Sequence, residues 1–112
     1  MNFDHIALTV PTEAMMKNNV KWYCDQYDAE ILYQDNTWSL LSVGGVKIAF
    51  VLPSQHPPHV AFEIDDMHRN SLIDAGHTFH THRDGSESCY LKDLCGNNLE
   101  FLFWPKKKNI KN

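Results

Sequence analysis

Apolar and polar positions alternate over residues 3–10, with Phe3, Ile6, Leu8 and Val10 apolar. A period of two predicts a strand that carries His5, Ala7 and Thr9 on one face and Ile6, Leu8 and Val10 on the other. Pro11 ends it, and Thr12 stands where a helix N-cap is wanted. From Glu13 to about Gln26 the period changes: Met15, Met16, Val20, Trp22, Tyr23 and Tyr27 fall at helical spacing. Met15, Met16 and Trp22 are expected in the core on that pattern. Three strands are predicted next, at Glu30–Gln34, Trp38–Val43 and Val46–Leu52. They are separated by Asp35-Asn36 and by Gly44-Gly45, a tight hairpin signal. Pro53 to Pro58 cannot continue a sheet and reads as a linker.

The order then repeats. His59-Val60-Ala61-Phe62-Glu63-Ile64 echoes His5-Ile6-Ala7-Leu8-Thr9-Val10, residue class for residue class, 54 positions later. So long a period marks two copies of a supersecondary unit. Asp65-Asp66 can cap a helix from about Met67 to Ala75, which Gly76 would stop. Strands fit Thr78–His82, Ser88–Lys92 and Asn98–Trp104. The closing strands of the halves also align, Gly45–Phe50 against Gly96–Phe101. Each half is β-α-β-β-β. Four strands with one helix bury only one face well, so two such units must pair their sheets.

Composition narrows the class. At 112 residues, 43% hydrophobic and 21% charged, the chain suits one globular domain. A net charge of −4 argues against nucleic acid or an anionic membrane as partner. Four basic residues, Lys106, Lys107, Lys108 and Lys111, crowd the end of the chain and read as a solvated tail. No apolar run approaches the ~18 residues of a membrane span, and no secretory leader is read in the opening residues. Cys24, Cys89 and Cys95 lack zinc-type spacing, and reduced thiols in the cytoplasm are the simplest account. The seven histidines are the unusual feature.

If the paired sheets curl around a cavity, His5 and His59 fall on the concave face, because the alternative face is apolar and must meet the helices. In the last strand Leu99, Phe101 and Phe103 form the apolar face, which sends Glu100 to the concave one. Alone, a strand histidine is ordinarily a hydrogen-bonded residue without further role, and a lone glutamate faces solvent. Jointly, with the histidines at equivalent repeat positions, two imidazoles and a carboxylate make the facial set that holds Fe(II), Mn(II) and related ions. His56, His68 and His77, in the linker, on a helix and after a helix stop, are expected to be solvated.

Three stretches carry a family resemblance: Asp4-His5-Ile6-Ala7-Leu8-Thr9-Val10, the pair Trp22-Tyr23, and Tyr90 through Glu100. They resemble the vicinal oxygen chelate superfamily, which includes glyoxalase I, fosfomycin-resistance proteins, extradiol dioxygenases, methylmalonyl-CoA epimerase and bleomycin-binding proteins. The family's usual aromatic-x-x-Asp-Pro-Asp-Gly-Asn-x-x-Glu is retained here at Tyr90, Asp93, Gly96, Asn97 and Glu100, with Leu94 and Cys95 replacing Pro and the second Asp. The resemblance implies an α+β fold. Two βαβββ modules (3–52 and 59–104, linker 53–58, tail 105–112) would pair into a cupped, eight-stranded mixed sheet with the helices outside. It implies metal ligands His5, His59 and Glu100 for a divalent ion: Fe, Mn, Zn, Ni or Co.

The family's fourth ligand falls at Ala49, which cannot bind metal. That counts against glyoxalase I and epimerase chemistry, which use a carboxylate there. In fosfomycin-resistance proteins the phosphonate-binding Thr, Lys and Ser fall at Ala7, His80 and Asp84; Arg83 and Tyr90 match. In extradiol dioxygenases the second-half signature falls on His82, Cys89, Tyr90, Asp93, Leu94, Gly96 and Glu100. That resemblance makes His82 a proton carrier and Tyr90 a group holding an intermediate. The function expected is a metal-dependent enzyme acting on a small substrate chelated through two adjacent oxygens, a dioxygenase or lyase. The rival is a metal-free binding protein of the bleomycin-resistance type. Members of this size commonly form homodimers, sometimes exchanging modules, which would bring His5 and Glu100 together across subunits.

Overall fold

The computed structural model describes residues 1–105, so the basic tail read at 105–112 lies outside the described residues apart from Pro105. The first half comprises β1 (Asn2–Thr9), α1 (Glu13–Tyr27), β2 (Glu30–Gln34), β3 (Trp38–Val43) and β4 (Val46–Val51). The second repeats it with β5 (His59–Glu63), α2 (Asp66–Asp74), β6 (His80–Thr81), β7 (Glu87–Lys92) and β8 (Asn98–Phe103). All eight strands join in one mixed sheet, ordered β2-β3-β4-β1-β5-β8-β7-β6. β1 pairs parallel with β4, and β5 parallel with β8; β1 and β5 meet antiparallel at the centre. The fold is the α+β arrangement expected. The antiparallel seam makes the halves equivalent about a local two-fold axis.

Each helix covers its own half. On α1, Met16 and Val20 are one turn apart and pack with Val10, Leu41, Phe50 and Leu52, with Tyr23 and Cys24 at the margin. Met15 and Trp22, expected in the core, are instead 50% and 49% exposed. The buried stripe runs 16, 20, 23, 24, and position 15 lies about 100° around the helix from position 16. Trp22 instead lies edge-on to Tyr23 and Tyr27, at centroid distances of 5.1 and 5.4 Å. Thr12 occupies the N-cap without a side-chain cap bond, and the helix is stopped by Asp28 in a left-handed conformation, its amide bonded to the Cys24 carbonyl. Asparagine and aspartate tolerate that geometry better than most residues.

α2 is lightly held. Asp65 caps it by accepting from the His68 amide at 2.9 Å, and Gly76, at φ +98°, terminates it. It has no fully buried residue. Leu72 packs toward Ile64, Phe101 and Phe103, and Arg69 spans to Glu87 at 2.8 Å while its guanidinium lies over Phe79 and Phe103. β6 is shorter than its predicted span because Phe79 turns under the helix, leaving His80 and Thr81 to pair with β7. Neither helix covers the middle of the sheet: Ile6, Leu8 and Val60 belong to no core cluster, and Leu8 stays 37% exposed. The expectation that this whole face of β1 meets a helix therefore fails at Leu8.

Candidate metal centre

The register aligns the chemistry on the concave face. One row crosses His5 of β1, Ala61 of β5, Glu100 of β8 and Tyr90 of β7. The next crosses Leu40 of β3, Ala49 of β4, Ala7 of β1 and His59 of β5. The local two-fold axis relates Ala7 to Ala61, His5 to His59 and Ala49 to Glu100. His5 and Glu100 come from strands separated by β5, roughly 9.6 Å at ordinary spacing. They can converge because the intervening side chain is the methyl of Ala61.

The donor atoms of His5, His59 and Glu100 all lie within 4.8 Å of one another. His59 Nε2 is 3.2 Å from Glu100 Oε1, and His5 Nε2 is 3.6 Å from the same oxygen. The imidazole rings stand edge to face, 5.5 Å between centroids. Each histidine is held through its other nitrogen: His5 Nδ1 lies 2.7 Å from Asp4 Oδ2, and His59 Nδ1 2.9 Å from the Pro57 carbonyl. Both partners are acceptors, so both Nδ1 atoms donate and each Nε2 faces Glu100. All three residues belong to one chain, so the cluster needs no exchange of modules between subunits.

Charge shapes this cluster. Burial favours the neutral His59, but the Glu100 hydrogen bond, the Pro57 carbonyl and the Glu100 charge outweigh it and hold its pKa above the usual value. Burial likewise raises Glu100, yet the hydrogen bond and charge from His59, with the His5 charge and the Tyr90 phenol, leave it lowered. Burial, the Glu100 charge and a hydrogen bond to Glu100 push the Tyr90 phenol well up, so it stays protonated. The Tyr90 ring also meets His59 edge to face at 5.5 Å.

The cluster opens into a cavity of about 960 Å³ whose apolar walls include Trp38, Leu40, Val51, Leu102 and Trp104. Trp38 faces the concave side. His82 also lines the cavity; its Nε2 is 2.6 Å from Oγ of the buried Ser88. His82 and Tyr90 thus stand in the same cup as the three candidate ligands, with His82 outside the cluster itself.

Other placements depart from the pattern reading. His56 was expected in solvent but is half-buried and lines the cavity, its amide bonded to the Leu52 carbonyl at 3.0 Å. Nothing in the linker's composition announces that path. Lys47 also lines the cavity, a place the pattern could have shown, since it lies two residues before Ala49 and so shares its face. His68 rests on Phe101, 5.5 Å between centroids, and His77 lines a separate cleft beside α2. Asp84, set against an anionic ligand by its charge, is tied to the amide and hydroxyl of Ser86 at 2.9 and 2.6 Å. Cys95 is exposed in the β7–β8 turn, where its amide donates to Asp93.

The residues fit a divalent ion. Two imidazoles and a carboxylate form a recognised donor set, every member has an outer hydrogen-bond partner, and Glu100 would otherwise bury a carboxylate. Ala49 offers no fourth donor, which leaves coordination positions for water or substrate.

The sequence matches no protein-family model, and no curated protein matches it. Solved structures do match. Methylmalonyl-CoA epimerase from Mycobacterium tuberculosis superposes with a TM-score of 0.70 at 15% identity, covering 94% of this chain and 89% of that one. A glyoxalase/bleomycin resistance protein/dioxygenase superfamily member from Vibrio splendidus 12B01 gives 0.64 at 10% identity, covering 88% and 96%. The Mn(II)-bound glyoxalase from Novosphingobium aromaticivorans gives 0.62 at 20% identity, covering 93% of this chain and 38% of that one. The chain has the vicinal oxygen chelate fold.

Proposed function

We propose that the protein is a divalent-metal-dependent enzyme of the vicinal oxygen chelate type, acting on a small molecule held through two adjacent oxygens. The observation that carries this is the convergence of His5, His59 and Glu100 within 4.8 Å at the floor of a roomy cup. When bound, Fe, Mn, Zn, Ni or Co supplies a Lewis acid for the substrate oxygens. The chain's own residues do the rest. His5, His59 and Glu100 hold the ion. Trp38, Leu40, Val51, Leu102 and Trp104 exclude water from an apolar substrate body. Tyr90, kept protonated, can donate to a substrate oxygen. His82, its ring fixed by Ser88, is the group we assign to proton movement, since no carboxylate occupies position 49. Ring-opening oxygenation is the most concrete form of this reaction, and a lyase is the other.

The aromatic walls favour a second reading, a metal-free protein that sequesters an apolar ligand. The fold hosts both functions and cannot choose between them. Protein purified without chelator separates them. Wild type is expected to retain close to one divalent ion per chain and Glu100→Ala far less; equal, low metal in both leaves the binding reading.

We also propose a homodimer in the cytoplasm, with small molecules rather than nucleic acid or membrane as partners. Exposed Phe3 and Leu8, with half-buried Ile6 and Val60 beside them on the convex face, support a second copy as their cover. Three free cysteines suit a reducing compartment. Among the described residues no helix is long and apolar enough to cross a membrane.

A further inference from the structure

Residue 4 breaks the strand's alternation. β1 opposes β5 with Phe3 against Phe62 and His5 against Ala61, so two steps on β1 answer one on β5 and Asp4 is the extra residue of a bulge. In a regular strand Asp4 would face away from His5, toward the convex apolar side. The bulge turns it inward instead: its carboxylate lines the cavity, 2.7 Å from His5 Nδ1 and 3.4 Å from Lys47 Nζ. Lys47 itself lies on β4 one residue before Ile48, which opposes Ile6 in the parallel register of β4 with β1.

The duplicated histidine lacks this arrangement. His59 is preceded by Pro58, which has no carboxylate, and its Nδ1 meets the neutral carbonyl of Pro57. The two imidazoles look alike in the repeat but sit against different partners, one charged and one not. An ionised carboxylate can only accept, so it compels Nδ1 of His5 to carry a proton and leaves Nε2, which faces Glu100, as the ligand atom. A carboxylate behind a ligand imidazole also makes that imidazole a stronger donor than a carbonyl does.

We propose that Asp4 is the positioning residue of the metal site: the bulge brings its carboxylate behind His5, fixing the ring's tautomer and orientation for metal binding, with Lys47 steadying the carboxylate. This rests on the metal reading above and adds a role that neither the ligand set nor the repeat assigns. It also makes the two histidine ligands unequal.

The test uses the metal-free protein and Co(II), whose visible absorption reports its coordination. Asp4→Ala is expected to raise the Co(II) Kd by about 10–100-fold and to shift the absorption bands, with Asp4→Asn intermediate. In wild type without metal, imidazole nitrogen NMR is expected to find a proton on His5 Nδ1, a readout that needs no variant. A Kd for Asp4→Ala within about twofold of wild type overturns the role, as does a lowered melting temperature with unchanged Co(II) spectrum and affinity. An Nε2–H tautomer in wild type overturns it independently. Wild type that binds no Co(II) while showing a proton on His5 Nδ1 contradicts the metal reading and the role of Asp4 within it. That pattern is distinct from a failure confined to Asp4.

Discussion

Ala61 decides at the residue scale whether the candidate ligands can meet. It is fully buried, and it separates His5 from Glu100 in the sheet register. Ala61→Leu would place a branched side chain in the space their donor atoms share. It removes no ligand, yet Co(II) binding is expected to fall by tenfold or more, at a stability cost of about 1–3 kcal/mol for overpacking. Titration with Co(II) alongside chemical denaturation checks both. Ala49 gives the converse experiment. The local two-fold axis relates it to Glu100, so Ala49→Glu would point a second carboxylate toward the cluster. It is expected to tighten Co(II) binding, and weaker binding would show that the two halves are not equivalent at this depth.

At this scale the sequence spoke through side-chain type and period. His5, His59 and Glu100 were placed on one face because each is a polar residue in an otherwise apolar alternation. The position of Asp4 carries no signal in the pattern, because a bulge is a fault in the alternation that a strand period assumes. His56 was misplaced because a proline-rich linker has no period from which to read direction.

At the element scale, hairpin turns recur in both halves with the same device. Asp35 follows β2 and accepts from the Thr37 and Trp38 amides, the Thr37 hydroxyl and the Tyr33 phenol. Asp84 follows β6 and accepts from the Ser86 amide and hydroxyl. The Tyr33 bond foremost, with those from residues 37 and 38, holds Asp35 down to about 2; the Ser86 hydroxyl and amide lower Asp84. A carboxyl depressed on folding contributes stability above its unfolded pKa, near 3.8, that is lost as pH falls through the folded value. Stability is therefore expected to decline below about pH 4, and Asp35→Asn with Asp84→Asn should flatten that decline in denaturant titrations. Both turns are exposed, so the effect is small.

The helices separate by how they are held. Met16 is almost fully buried under α1, and Met16→Ala should cost about 2–5 kcal/mol. Met15→Ala, on the exposed side, should change stability little. The pattern located the helix but missed its phase by one position, since adjacent methionines satisfy the same spacing and only the partner surface chooses between them. Strand positions were read well where Gly44-Gly45 or prolines bounded them. β6 was overextended because an apolar Phe79 looks the same in a strand as under a helix.

For the whole molecule, duplication supplies the architecture and its departures from symmetry supply the site. Two βαβββ units meet along β1 and β5, so both histidines arise at the seam, and each helix guards one flank. The seam leaves Leu8 open on the convex side while the cup forms on the other. Leu8→Glu is expected to convert a dimer to a monomer in light scattering without loss of metal; a wild-type monomer would leave that strip without the proposed cover. The cup is asymmetric in three places that the repeat would have made alike. Glu100 has only Ala49 as its counterpart, Asp4 has none before His59, and Tyr90 attends only one side.

We propose, above all, that this asymmetric cup holds a divalent ion through His5, His59 and Glu100. The most direct test is metal analysis of wild type and Glu100→Ala after exposure to saturating Mn, Fe, Co, Ni or Zn and removal of free ion. Close to one ion per wild-type chain is expected for at least one of these metals, with a large loss in the variant. Wild type that holds no more metal than Glu100→Ala, for every ion tried, would contradict it.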